Sequence, residues 1–329
     1  VDITGGNYIL AISTVVIYKL QLDATRFESI QDISGYNFRF SICYDMKILE
    51  DQCLNIQTRK TWIYLYCGYS EGSLDFQSLD YTNATITLNS QEMLSLYFLE
   101  IQIEQVARID TSQNVVFNGA KFSNILTDKS QQGFVQHVYR SPTILLTLSN
   151  SAVSIMNSQF YNLSSLPDDN IIGISAVNIT ITNCSVSNLK FNEISGAIYL
   201  IFSNLVIESS TFQDNSRPDD GIGELLNLVS PDVDSIQNIL IVATTFRTNV
   251  ASLIIVQGSK INFEMKDCLL ENNYPQSSGS IFMTKIRDSS VTFQNVTFHY
   301  SQGAENENFD YIYDFLQVTD VESPINVTF

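Results

Sequence analysis

VVFNGAKFSN at 115–124, VSIMNSQFYN at 153–162 and ITITNCSVSN at 179–188 are one phrase written three times. Each has two apolar residues two apart, a large apolar residue five further on, and an asparagine shortly after. The phrase continues as LVIESSTFQDN at 205–215, ILIVATTFRTN at 239–249, FEMKDCLLENN at 263–273 and VTFQNVTFHYS at 291–301. Its landmark is Phe122, Phe160, Val186, Phe212, Phe246, Leu270 and Phe298, at intervals of 38, 26, 26, 34, 24 and 28 residues. A constant phrase at unequal intervals means a constant strand frame joined by loops of variable length.

Period-2 alternation marks the phrase as strand with one face inward. Two residues past the second apolar position stand Gly119, Asn157, Asn183, Ser209, Ala243, Asp267 and Asn295. Five of these seven are Gly, Asn or Asp, the types that enter the left-handed region at least cost. A sharp bend is therefore expected between two short strands. A third apolar strand follows each of the first six phrases, as ILLTLSN at 144–150, GISAVN at 173–178, GAIYLIFS at 196–203, ELLNLVS at 224–230, LIIVQGS at 253–259 and SIFMTKI at 280–286. Three short strands, one tight bend and one long loop per repeat describe a coil climbing about 4.8 Å per turn. The landmark residues then form an internal core ladder. The asparagine slips from two residues after the landmark in the first three repeats to three after it in the next three. Asparagine stacking is expected only in part.

Over about residues 80–300 this pattern resembles the pectin-lyase-like right-handed parallel β-helix superfamily. The resemblance implies an all-β, single-stranded parallel β-helix, a solenoid of about three strands per coil. It does not imply one activity, because such a scaffold carries lyases, hydrolases, adhesins and surface proteins alike. Residues 1–80 read as a strand-rich N-terminal part with a cysteine cluster, and 81–329 as the coils. TITLNSQEML at 85–94 fits the phrase with Ile86, Leu88 and Met93. SPINVTF at 323–329 reads as another coil beginning, so continuation beyond the C-terminus is expected, as is a leader or larger part before Val1.

Charge and composition narrow the partners. Asp and Glu outnumber Lys and Arg by 35 to 17, a net charge of −18, which argues against nucleic acid. Only 16% of residues are charged. The polar surface is instead amide and hydroxyl, which suits an extracellular or cell-surface location and equally suits a compositionally biased genome. The opening apolar stretch, Tyr8 to Tyr18, is too short for the roughly 20 residues that a bilayer span needs. Six Asn-x-Ser/Thr sequons occur, at Asn83, Asn162, Asn178, Asn183, Asn295 and Asn326. With 28 Asn and 61 Ser or Thr, chance alone supplies about five. Position favours N-linked glycans at Asn183 and Asn295 on the bend and Asn162 in the loop; Asn178, closing an apolar strand, is less favoured.

Cys184 and Cys268 fall in one column three coils apart, roughly 14 Å, too far for a disulfide, and read as buried fillers. Cys43, Cys53 and Cys67 permit one disulfide with one thiol over, with pairing open. The carboxylates on which a site would draw are Asp168, Asp169, Glu193, Asp219 and Asp220, in the long loops of three successive coils. Stacked about 5–10 Å apart, they would suit two-carboxylate glycoside hydrolysis or a Ca2+ site. Pro167 and Pro218 give the plainer reading of Pro-Asp turns. The Gly-His-Gly and Arg-x-Lys motifs of galacturonase-like members are absent, and the two histidines, His137 and His299, occupy unrelated positions. The expectation is no catalytic site and no resident cofactor. In its place stands a structural or adhesive segment of a larger surface protein or filament, homo-oligomeric through stacking or lateral contacts, with glycans as further partners. A carbohydrate-active enzyme or a glycan- or calcium-binding module is the alternative.

Overall fold

The computed structural model describes side chains at 115–124, 152–164, 170–191, 196–216, 224–230, 234–273, 286–299 and 327–328, and elsewhere only the backbone of the strands. It is an all-β parallel solenoid. Three parallel sheets contain eleven strands each, and every sheet takes every third strand in chain order. Sheet one holds the paired apolar residues, in strands such as Ala152–Met156, Asn178–Thr182, Asn204–Glu208, Gln237–Val242 and Ile261–Lys266. Sheet two holds the landmark in three-residue strands such as Gln159–Tyr161 and Thr211–Gln213. Sheet three holds the third strand, for example Ile172–Ser175, Glu224–Val229 and Ser252–Ser259.

The core ladder forms in the expected register. Phe122 pairs with Phe160, Phe160 with Val186, Val186 with Phe212, Phe212 with Phe246, Phe246 with Leu270 and Leu270 with Phe298. Phe122 and Phe160 stack at 5.4 Å and 7°, and Phe212 and Phe246 at 5.1 Å and 10°. Val186 and Leu270 interrupt the aromatic run without leaving the column. Each such buried side chain contributes about 1.5–3 kcal/mol of hydrophobic stabilisation, which one exposed coil could not collect alone.

The bend column is left-handed throughout. Gly119, Asn157, Asn183, Ser209, Ala243, Asp267 and Asn295 all have φ between 49° and 68°. Their N–H groups still donate to the coil above, from Asn157 to Thr182 O and from Ala243 to Lys266 O, both at 3.0 Å. The backbone donors of Gly119, Asn183, Ser209 and Asp267 are paired in the same way, so the chain turns there without losing these ladder bonds. A second left-handed column lies two residues after the landmark, at Asn124, Asn162, Asn188, Asp214, Thr248 and Asn272.

Below residue 80, strands Asp2–Gly6, Arg26–Ile30 and Gln52–Thr58 join sheet two ahead of Asp80–Thr87. There the register stacks Ile3, Phe27, Cys53 and Tyr81 beneath Phe122. The phrase of that coil is therefore LDFQSLDYTN at 74–83, not TITLNSQEML at 85–94. Ile86 lies in a sheet-two strand, whereas Leu74 and Phe76 pair with Val115 and Phe117 in sheet one.

Candidate functional site

The slip in the asparagine position resolves into two different columns. Two residues after the landmark the side chain sits on the bend. Three after it, the side chain turns inward, where Leu163, Leu189, Asn215, Asn249 and Asn273 follow one another, none more than 1% exposed. Parallel bridges joining Ser164, Lys190, Ser216 and Val250 fix that alignment.

The inner asparagines form a closed network. Asn249 donates through Nδ2 to Asn273 Oδ1 at 2.8 Å and to the Phe212 carbonyl at 2.9 Å. Its Oδ1 accepts from Asn215 Nδ2 at 2.9 Å and from the Asn215 backbone N–H at 3.2 Å. Two donors and two lone pairs are an asparagine's whole capacity, and all four are used. Asn215 extends the pattern downward, donating to the Val186 carbonyl and accepting the Leu189 N–H. Backbone groups that the bend removes from the sheet ladder are satisfied by side chains instead.

A second polar column follows the first bend: Ser158, Cys184, Ser210, Thr244 and Cys268, all buried. Ser158, Ser210 and Thr244 donate to the carbonyl two residues back at 2.7–2.9 Å. The thiols of Cys184 and Cys268 do the same at 3.3 and 3.2 Å. Both cysteines are free and buried, as the column argument requires. Burial pushes both thiols above the ordinary range, while backbone hydrogen bonds pull part of the way back. They are hydroxyl substitutes more than apolar fillers.

The outer face of sheet one carries a third ladder. Asn178, Asn204, Asn238 and Asn262 occupy one exposed column in successive strands. Nδ2 of each donates to Oδ1 of the one before, at 2.9, 3.1 and 3.3 Å, and Ser290 Oγ donates to Asn262 Oδ1 at 3.0 Å. Asn204, Asn238 and Asn262 each spend one hydrogen and one lone pair on their neighbours, keeping one of each for the outside, and Asn178 spends only a lone pair. The next outward positions include Val206, Leu240 and Val242, all partly exposed, and Ile236 beside Asn238 is 63% exposed. Sheet three differs, because its outward-facing Leu225, Leu253 and Ile255 are buried.

Four sequon asparagines fall on these columns. Asn183 and Asn295 are exposed on the first bend and Asn162 is half-buried on the second. Their Nδ2 atoms donate to Asn157, Asp267 and Asn124, at 2.7, 2.7 and 2.8 Å. Asn178 opens the outer ladder and is exposed. Asn83 and Asn326 lie in the strands Asp80–Thr87 and Ile325–Thr328, with side chains outside the described residues. Cys43, Cys53 and Cys67 begin, enter and end strands of three different sheets, and their side chains are likewise outside the description. Asp168, Asp169, Glu193, Asp219 and Asp220 all lie outside the described residues, as does His137. His299 is exposed at the end of the strand Thr297–His299.

Among the described residues no group of three His, Cys, Asp or Glu side chains could hold a metal ion, and no helix is long and apolar enough to cross a membrane. Among the described residues, Arg247 forms an ion pair with Glu271 at 3.2 Å between adjacent coils on sheet two. Compared with family models, with curated proteins and with solved structures, the chain matches none.

Proposed function

We propose that this chain is an extracellular structural or adhesive scaffold, one segment of a larger cell-surface protein or filament, on a solenoid of the pectin-lyase-like kind. The observation that carries the reading is the use of its polar side chains. Column after column of Asn, Ser and Thr is committed to holding one coil on the next, the hydroxyls of Ser158, Ser210 and Thr244 by accepting the N–H of Ala120, Cys184 and Ser210, leaving a regular outer surface of few charged side chains. Such a fold extends by adding repeats and offers repeated surface rather than one pocket. Net charge of −18 favours neutral or basic partners over nucleic acid. N-linked glycans on Asn162, Asn183 and Asn295 would decorate the bends without entering the core.

Negative-stain electron microscopy and light scattering of the chain test this reading. Elongated particles that associate support it; a compact and strictly monomeric particle overturns it. The competing reading is a carbohydrate-active enzyme or calcium-dependent module built on Asp168, Asp169, Glu193, Asp219 and Asp220. Turnover of acidic polysaccharide, abolished by Asp219→Asn with Asp220→Asn, would establish the first form. Thermal stabilisation by Ca2+ would establish the second.

A further inference from the structure

We propose that the outer face of sheet one, bounded by the Asn178–Asn204–Asn238–Asn262 ladder, is the surface on which a second copy of this chain lies. The proposal rests on the scaffold reading and names the face through which it assembles sideways.

The ladder presents a self-complementary edge. Once the bonds of the run are made, Asn204, Asn238 and Asn262 each retain one donor and one acceptor, and these are the groups with which a primary amide pairs with another like itself. A two-fold related copy presents the same edge reversed, which is the geometry of an isologous contact. Spacing adds a second argument. The edge repeats once per coil, and only a partner of the same rise stays in phase over several coils, as stacked amide rows do between paired sheets.

Apolar surface accompanies the amides. Ile236, 63% exposed, and the partly exposed Val206, Leu240 and Val242 flank the ladder, so docking would remove apolar area as well as pair amides. In strands 152–156 through 289–294 every outward-facing residue of sheet one is half-buried or exposed, whereas on sheet three the outward-facing Leu225, Asn227, Leu253 and Ile255 are buried. Few charges stand on the face: Glu208, Glu264 and Lys266. Since each copy carries a net charge of −18, association through this face should strengthen with salt, which screens the mutual repulsion. A basic partner would show the opposite dependence.

Sedimentation velocity of the chain over a wide concentration range, at low and high salt, tests the proposal. The comparison variants are Ile236→Lys with Leu240→Lys, and Gln213→Lys on sheet two as control. We expect self-association that grows with salt, its loss in I236K/L240K, its retention in Q213K, and unchanged melting temperatures in all three. Self-association equal in wild type and I236K/L240K overturns this face while leaving the scaffold reading standing. A strictly monomeric wild type overturns both. Retention on an immobilised neutral polysaccharide, abolished by I236K/L240K in a chain that does not self-associate, would assign the face to glycan and likewise overturn the proposal.

Discussion

The inner column Asn215–Asn249–Asn273 and the outer column Asn204–Asn238–Asn262 use the same side chain at the same one-coil spacing, yet do different work. The inner amides are at most 1% exposed and bind backbone as well as one another. The outer side-chain amides bind one another and, at the ends of the run, the side chains of Asn178 and Ser290, and they are exposed to water for everything else. A stacked asparagine is therefore not one interaction with one value. Its worth depends on whether losing it would leave a buried group with no alternative partner.

Replacing Asn249 with Ala breaks that comparison most sharply. It removes the acceptor of the Asn215 backbone N–H, one of the two acceptors of Asn215 Nδ2, one of the two donors to Asn273 Oδ1, and the side-chain donor to the Phe212 carbonyl, all inside the core. The expected cost is about 3–5 kcal/mol in urea unfolding. A cost under about 1 kcal/mol would mean that the inner amides are not so engaged. Ala243→Asn should act in the opposite direction. Ala243 holds φ at 49° between Ser209 and Asp267 on the bend. Asparagine tolerates that conformation better, so a gain of about 1 kcal/mol is expected, read as a raised melting temperature. Asn238→Ala on the outer ladder should cost no more than about 0.5 kcal/mol, since water replaces its partners.

The buried thiols give a smaller, pH-dependent test. Burial raises the folded pKa of Cys184 above the unfolded value, so the neutral thiol is the form that folding favours. Its contribution is fully present below the ordinary thiol pKa of about 8.5 and is lost as pH rises through the folded value. Cys184→Ser, which places the residue of Ser158 and Ser210 in the same column, should flatten the decline in stability above about pH 8.5. An unchanged decline would place its origin elsewhere.

Much of this architecture was legible in the sequence, for reasons particular to each column. The Phe122-to-Phe298 ladder could be read because large apolar residues recur a fixed five positions after a pair. The bend could be read because Gly, Asn and Asp mark a left-handed conformation. Below residue 80 the same spacing exists, as in Leu20, Leu22 and Phe27 or Met46, Ile48 and Cys53, and the register aligns both sets with the later coils. There the residues two past the second apolar residue of each set are Ala24, Glu50 and Ser78 and two landmarks are Cys53 and Tyr81, so the usual sequence marks of bend and core are missing. The asparagine slip looked like loss of register because sequence spacing does not say which way a side chain turns after a bend. The outer ladder went unread, since Asn178, Asn204, Asn238 and Asn262 precede the apolar pair and carry no hydrophobic signal. Their fixed place, one residue before Ile179, Leu205, Ile239 and Phe263, was the sign available.

The central claim is that the repeated phrases stack column on column, with the inner asparagines bonding one coil to the next. Amide hydrogen exchange of the backbone N–H groups of Leu189, Asn215 and Asn249, and of the Asn249 and Asn273 side-chain amides, tests it most directly by NMR. The account predicts that these protons exchange only at the rate of global unfolding, and that the Asn238 side-chain amide exchanges far faster. Equally fast exchange at the inner and outer columns would contradict it.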